Sequence, residues 1–412
     1  MRIFAFFLLL MGITTACGQT TDVLSQWRGP SRDGMFTCTH LMKTWPAEGP
    51  EMLWSFEGLG AGHGSVAFSQ DKILVLGMPD TTGVLYAFDF SGKLLWKKPY
   101  GTEWYQNYTG TRSTPTVVGH LVYFMSGQGV VYCFDERSGN EVWSVDLLNT
   151  FDAENIQWGV TESLLIDGDQ LFCTPGGKEH NIVSLNRFTG KVNWSAPGLG
   201  EQSAYCSPIL AEHNGTRLLI TMTAESILAL DPDTGELFWH IPQKQRNKIH
   251  ANSPVYYNGR VYCSSENAPE DNGLVCILLS EDGKSAQIEW RNQQFTNLMG
   301  GIVVKDGHIY GSEYRKKGWS VINAMTGEVS HTMDALGTGV VIWADDRFYC
   351  YKEEGTVTLA DAGPGHFELK GSFKVPLGTD QHWAHPVIHD RKLYIRHGDA
   401  LMVYDIADQS FR

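Results

Sequence analysis

The chain has 412 residues, 42% apolar and 12% aromatic, enough to bury a large core as one closed repeat fold without requiring a second one. Its formal charge of −14 is spread along the chain, so a phosphate backbone would be repelled overall and nucleic acid is not an expected partner.

In chain order, Met1-Arg2 and the apolar run Ile3 to Ile13 have the charged start and short hydrophobic stretch of a secretory leader, too short to span a bilayer as a helix. The run ends in Thr14-Thr15-Ala16-Cys17, a loose form of a bacterial lipoprotein cleavage site in which Cys17 would carry the lipid. Thr14 stands where that motif usually has Leu, so plain cleavage near Gly18 stays open. A leader over 1–18, an arm over 19–50 and a single folded body over 51–412 are the expected divisions. Export, to the periplasm or to an outer-membrane anchor, follows from the leader.

From Leu85 onward a unit recurs: strand, Asp-x-x-Thr/Ser-Gly turn, strand with Trp. Leu85 to Trp96, Val131 to Trp143, Val183 to Trp194 and Leu228 to Trp239 are its clearest copies, and weaker ones follow near Leu274, Val321, Val357 and Leu401. Alternating apolar residues make a half-buried strand; Asp or Asn accepts amide protons two or three residues on; Gly supplies the positive φ. The Trp ring is then placed to cover the turn of a neighbouring blade. Core positions Ile73, Val122, Leu171, Leu218, Val261, Ile309, Phe348 and Leu393 are 39 to 49 residues apart, one four-stranded blade per step.

The unit around Leu401 lacks a Trp strand, whereas Glu51 to Phe56 is an orphan strand with Trp54. Trp54's strand should complete the last blade and close the ring, removing two open sheet edges. The fold expected is all-β, an eight-bladed propeller, with seven blades as the alternative if the Phe348 unit is irregular. Cys173, Cys263 and Cys350 follow equivalent strand residues in different units, which makes them small core residues too far apart to bridge.

These repeats resemble the pyrroloquinoline-quinone-like (PQQ-like) β-propeller family over nearly all the chain after about residue 50, and Trp27 to Gly34 (WRGPSRDG) is similar to the opening of many secreted bacterial members. The family includes quinoprotein alcohol dehydrogenases and a lipoprotein that assists outer-membrane β-barrel assembly. The resemblance implies fold more strongly than activity. A dehydrogenase of this type would need PQQ at the ring centre, calcium held by acidic and amide oxygens, and an Asp base. Glu162, Glu266, Asn267 and Asp271 are candidate oxygens, but the adjacent-cysteine pair and the haem attachment site of such enzymes are missing.

Counting back from the core positions, usually by eight, places Ser65, Thr114, Ser163, Ser207, Ser253, Gly301, Val340 and His385 around the channel. This predicts a polar mouth, or hydroxyls that only satisfy strand-end backbone groups. Just before these positions stand Trp104, Tyr105, Arg112, Trp158, Glu162, Tyr205, His250, Asn252, His382 and Trp383, which could stack on and hydrogen-bond a sugar, a planar cofactor or a peptide. The function expected is a monomeric, non-catalytic envelope scaffold that holds a protein segment or small polar ligand at the mouth, with no cofactor. A PQQ- and calcium-dependent alcohol or sugar dehydrogenase is the alternative.

Overall fold

A computed structural model describes residues 23–266 and 271–411; the expected leader, with Cys17, and Asn267 lie outside them. Eight antiparallel sheets, each with four strands of its own, form the ring. Blade 1 runs Ala67–Phe68, Ile73–Gly77, Thr82–Phe88, Leu94–Thr102, and blade 2 runs Thr116–Val118, Leu121–Met125, Val130–Asp135, Asn140–Asp146. Blades 3 to 7 repeat this order from Leu165, Ile209, Val255, Val303 and Gly339. In blade 8 the strands Val387–His389, Lys392–His397 and Ala400–Asp405 are completed by Met52–Glu57, which pairs antiparallel with Ala400–Asp405. The ring therefore closes through Trp54's strand with eight blades, and the Phe348 unit is a full blade.

Burial follows position in the blade. The second strands Ile73–Gly77 and Leu121–Met125 are buried at every residue, because a neighbouring blade covers each face. The outermost strand Asn140–Asp146 is buried at none. Eight apolar clusters fill the junctions, one between each pair of adjacent blades. Cys173, Cys263 and Cys350 sit in three of them, on the second strands of blades 3, 5 and 7.

The repeat chemistry works as the residue types require. Asp231 Oδ1 accepts from the amides of Asp233 (2.8 Å) and Thr234 (3.2 Å), and Asn323 Oδ1 accepts from Met325 (2.8 Å) and Thr326 (3.1 Å). Gly235, at φ +77, lies so close under Trp194 that a Cβ there would stand 2.6 Å from the ring. Trp143 donates its indole N–H to Arg187 O (2.9 Å), Trp194 to Pro232 O (3.0 Å) and Trp290 to Ala324 O (3.2 Å). In each case the outer-strand Trp of one blade covers the turn of the next. Trp54, Trp96 and Trp239 do likewise, so six junctions are clamped, from blade 8 round to blade 6.

Blades 6 and 7 have no Trp on their outer strands, Val329–Met333 and His366–Lys374. Trp319 of blade 6 packs against Phe367 (6.5 Å between centroids) at one open junction. At the other, the N-terminal arm supplies Phe36, Leu41 and Trp45, whose ring meets Tyr349 at 5.8 Å and Phe373 at 5.4 Å. The arm reaches this seam by way of the channel. Val23–Ser25 runs antiparallel to the innermost strand of blade 2, and Met35–Phe36 runs parallel to that of blade 7. It is thus a hairpin that rises through the ring and returns, with Trp27 to Gly34 as its tip.

Candidate functional site

The tip is built to cross a crowded channel. Gly29 and Gly34 take φ of +87 and +83, and Asp33 Oδ1 accepts the Met35 amide (2.9 Å) to close the turn. Arg28 and Arg32, both nearly fully buried, are also held at positive φ. Arg28 Nη2 donates to Ile302 O (2.6 Å), and Arg32 donates to Ser163 O (2.6 Å) and Leu164 O (3.2 Å), so the two cations tie the tip to blades 6 and 3. Burial lowers both guanidinium pKa values to about 10, which leaves them charged. Gly301 must lack a side chain, since a Cβ there would stand 1.8 Å from Arg28 Nη1.

Trp27 caps this plug. Its indole donates to Ser253 Oγ (3.2 Å), and its ring meets His385 edge-on at 4.5 Å. Burial and the neighbouring Arg28 hold the His385 pKa well below its usual value, so its neutral Nδ1 accepts from Arg28 Nη1 at 3.3 Å. Above Trp27 opens a cavity of about 470 Å³, a blind cup on the face where the loops enter the innermost strands.

Of the residues singled out from sequence, Arg112, Trp158, Ser163, Tyr205, Ser207, Ser253, Glu266, Trp383 and His385 line this cup. The others lie elsewhere. Trp104 is buried behind the wall, donating to Asn107 O (2.9 Å) with the Arg112 guanidinium 6.0 Å from its ring centre. Tyr105 points to solvent. Thr114 accepts the Ser65 amide (2.9 Å), and Asn252 bonds Asn297 O (2.7 Å) and the Gly301 amide (2.8 Å). His250 is enclosed, its pKa pushed down to about 4 by burial, and His382 stacks on His397 at 3.6 Å. Glu162 takes the Thr174 amide (2.9 Å) on one oxygen, while its other oxygen has no partner; burial outweighs the nearby Arg32 and raises its pKa to about 8.

The ring hydroxyls do satisfy backbone groups. Ser65 N–H donates to Thr114 Oγ1, Thr114 N–H to Ser163 Oγ and Ser163 N–H to Ser207 Oγ, each at 2.9 Å, a relay that stitches four blades together around the channel. Sequence reasoning missed the cup's floor, Trp27, and wall residues such as His63, Tyr108, Gln245 and Tyr314. The signal for Trp27 was the WRGPSRDG motif itself. The others sit on connections of unequal length, outside the repeat phase.

Among the described residues nothing gathers the oxygens that a calcium ion would need. Glu162 and Asn252 are engaged as described, Glu266 Oε1 is paired with Arg315 at 2.6 Å, and Asp271 Oδ2 accepts the Lys244 amide at 3.0 Å. Among the described residues no group of three or more His, Cys, Asp or Glu could hold a metal. These donors do not fit such an ion.

Repeat, clamp and ring together define a PQQ-like β-propeller. A family model described as outer membrane protein assembly factor BamB matches residues 44–147 and 81–333, and the chain belongs to that family. It is similar to BamB of Yersinia pestis, 23% identical over 298 residues, which is 66% of this chain and 70% of that protein. It is also similar to quinoprotein alcohol dehydrogenase PedH of Pseudomonas putida, 26% identical over 158 residues, 36% of this chain and only 25% of that enzyme. The crystal structure of BamB from Moraxella catarrhalis shares the fold with a TM-score of 0.62 at 15% identity, over 86% of this chain and 99% of that one.

Proposed function

We propose that the chain is a non-catalytic binding propeller of the bacterial envelope, exported by its leader, that seats a protein segment or small polar ligand in the channel mouth. The observation that carries this reading is the blind cup: the arm closes the channel beneath it, and its walls are aromatic plates and hydroxyls. Of the ionisable groups lining the cup, His385 is engaged by Arg28 and Glu266 by Arg315. The family match supports the scaffold role, since the relative that shares most of its length is named as an assembly factor. The likeness to PedH covers a quarter of that enzyme and carries the repeat alone.

Two measurements test this. A photo-crosslinking residue placed at Tyr105 or Tyr314, exposed on the loop face, should capture a discrete partner or ligand in the envelope, while one at Met325 on the opposite face should not. Titration of PQQ with calcium into the folded protein, followed by dye-linked oxidation of alcohols and sugars, should give neither stoichiometric binding nor turnover. Tight binding with turnover would replace the scaffold by a dehydrogenase.

A further inference from the structure

Resting on that reading, the cup's chemistry narrows its ligand. Four hydroxyls on its wall already accept a proton: Ser163 from Thr114 N, Ser207 from Ser163 N (both 2.9 Å), Ser253 from Trp27 Nε1 (3.2 Å) and Tyr205 from Trp158 N (3.1 Å). None of the four donates its own O–H to an acceptor among the described residues, so all four protons are available to a ligand. Arg112 adds to this set. Its Nη2 bonds Tyr108 O at 2.5 Å, its buried Nε has no partner, and its pKa, lowered to about 10 by burial, leaves it charged. The carboxylate on the wall, Glu266, is neutralised by Arg315 at 2.6 Å. In a chain of net charge −14, the cup is therefore a pocket of donors, and it calls for a ligand rich in acceptors and negatively charged.

The aromatic plates specify the rest. Trp158 and Tyr205 are inclined at 44°, Tyr108 and Trp383 at 46°, and His63 and Trp383 at 47°. The members of each pair touch, their centroids 5.1 to 6.1 Å apart, so each pair presents a bent rather than a flat wall to the cup. Inclined plates suit a puckered, saturated ring whose C–H faces meet them at several angles while its oxygens reach the hydroxyls.

We infer that the mouth binds an acidic saccharide, a hexuronate-bearing sugar whose carboxylate meets Arg112 and whose ring lies against Trp158 and Trp383. The test is calorimetric titration of digalacturonate and of its neutral methyl ester into the full mature chain, with melting curves to show that every variant is folded. The acid should bind one to one and at least about tenfold more tightly than the ester, an advantage that salt erodes. Arg112→Gln should bring the two to near equality, and Trp383→Leu should weaken both. Equal binding of acid and ester, or an unchanged preference in folded Arg112→Gln, overturns the inference. So does stoichiometric binding of PQQ in place of the sugar. If neither sugar binds but crosslinking at Tyr105 or Tyr314 still captures an envelope protein, this inference falls and the scaffold stands; if both fail, both fall.

Discussion

The arc from blade 8 through blade 1 to blade 6 and the seam around blade 7 hold the same ring together by different means. Along the arc each junction repeats one local device, a Trp over the next blade's turn, with its N–H on a turn carbonyl at every junction but that of Trp96. At the seam between blades 7 and 8 that device is missing, and residues more than three hundred positions away fill the gap: Leu41 donates its amide to Asp345 Oδ2 (2.8 Å), and Trp45 lies among Tyr349 and Phe373. A repeat fold can thus lose its signature at one junction if a non-repeated segment brings equivalent apolar area. The same segment also plugs the channel, so seam and site are coupled.

The comparison breaks most severely if the arm is removed. A chain beginning after Trp45 should lose its cooperative melt, because seam and channel are unfilled together; circular dichroism on heating would check this. Trp45→Ala alone should cost about 3–5 kcal/mol, the usual range for emptying a buried indole site. Trp45→Phe should stay within about 1 kcal/mol, since the indole N–H has no partner there. Denaturant titration measures both. Trp143→Ala on the arc should cost less, about 2 kcal/mol, because that ring is only half buried and five other clamps remain. A larger loss than Trp45→Ala would show that the clamps, not the arm, limit the ring. Gly235→Ala should cost about 1–2 kcal/mol from backbone strain at φ +77 with the Trp194 ring overhead.

An effect of another kind is one of pH, on the channel wall of the arc. Glu162 titrates at about 8 in the folded protein, above its ordinary 4.5, so between these values the native state holds a proton that the unfolded chain has released. Its contribution to stability is greatest below about pH 4.5 and is lost as pH rises through 8. Glu162→Gln should therefore raise the melting temperature relative to the parent increasingly from pH 5 to 8, and the two curves should converge in acid.

Much of the fold was legible because a propeller writes its junctions locally. Asp231, Gly235 and Trp239 lie within nine residues, and each does its work within its own blade or the next. Closure by Trp54 could be read from an orphan strand facing an incomplete unit. The site was legible only in part. Residues in phase with the innermost strands, such as Ser207, Ser253 and His385, do reach the cup, as do Arg112, Trp158, Tyr205 and Trp383 from the preceding loops. Trp104, Glu162, His250 and Asn252 come from the same loops yet turn inward, to bonds or packing that depend on neighbouring loops of unrelated length.

By itself, the sequence determined blade number, ring closure and clamp chemistry, since these depend on residues a fixed few positions apart. Only the tertiary structure decided that WRGPSRDG is a plug, that Gly301 exists to admit Arg28, and which loop residues face the cup. Those outcomes depend on what meets in space across a ring of eight blades, and local propensity carries no record of that.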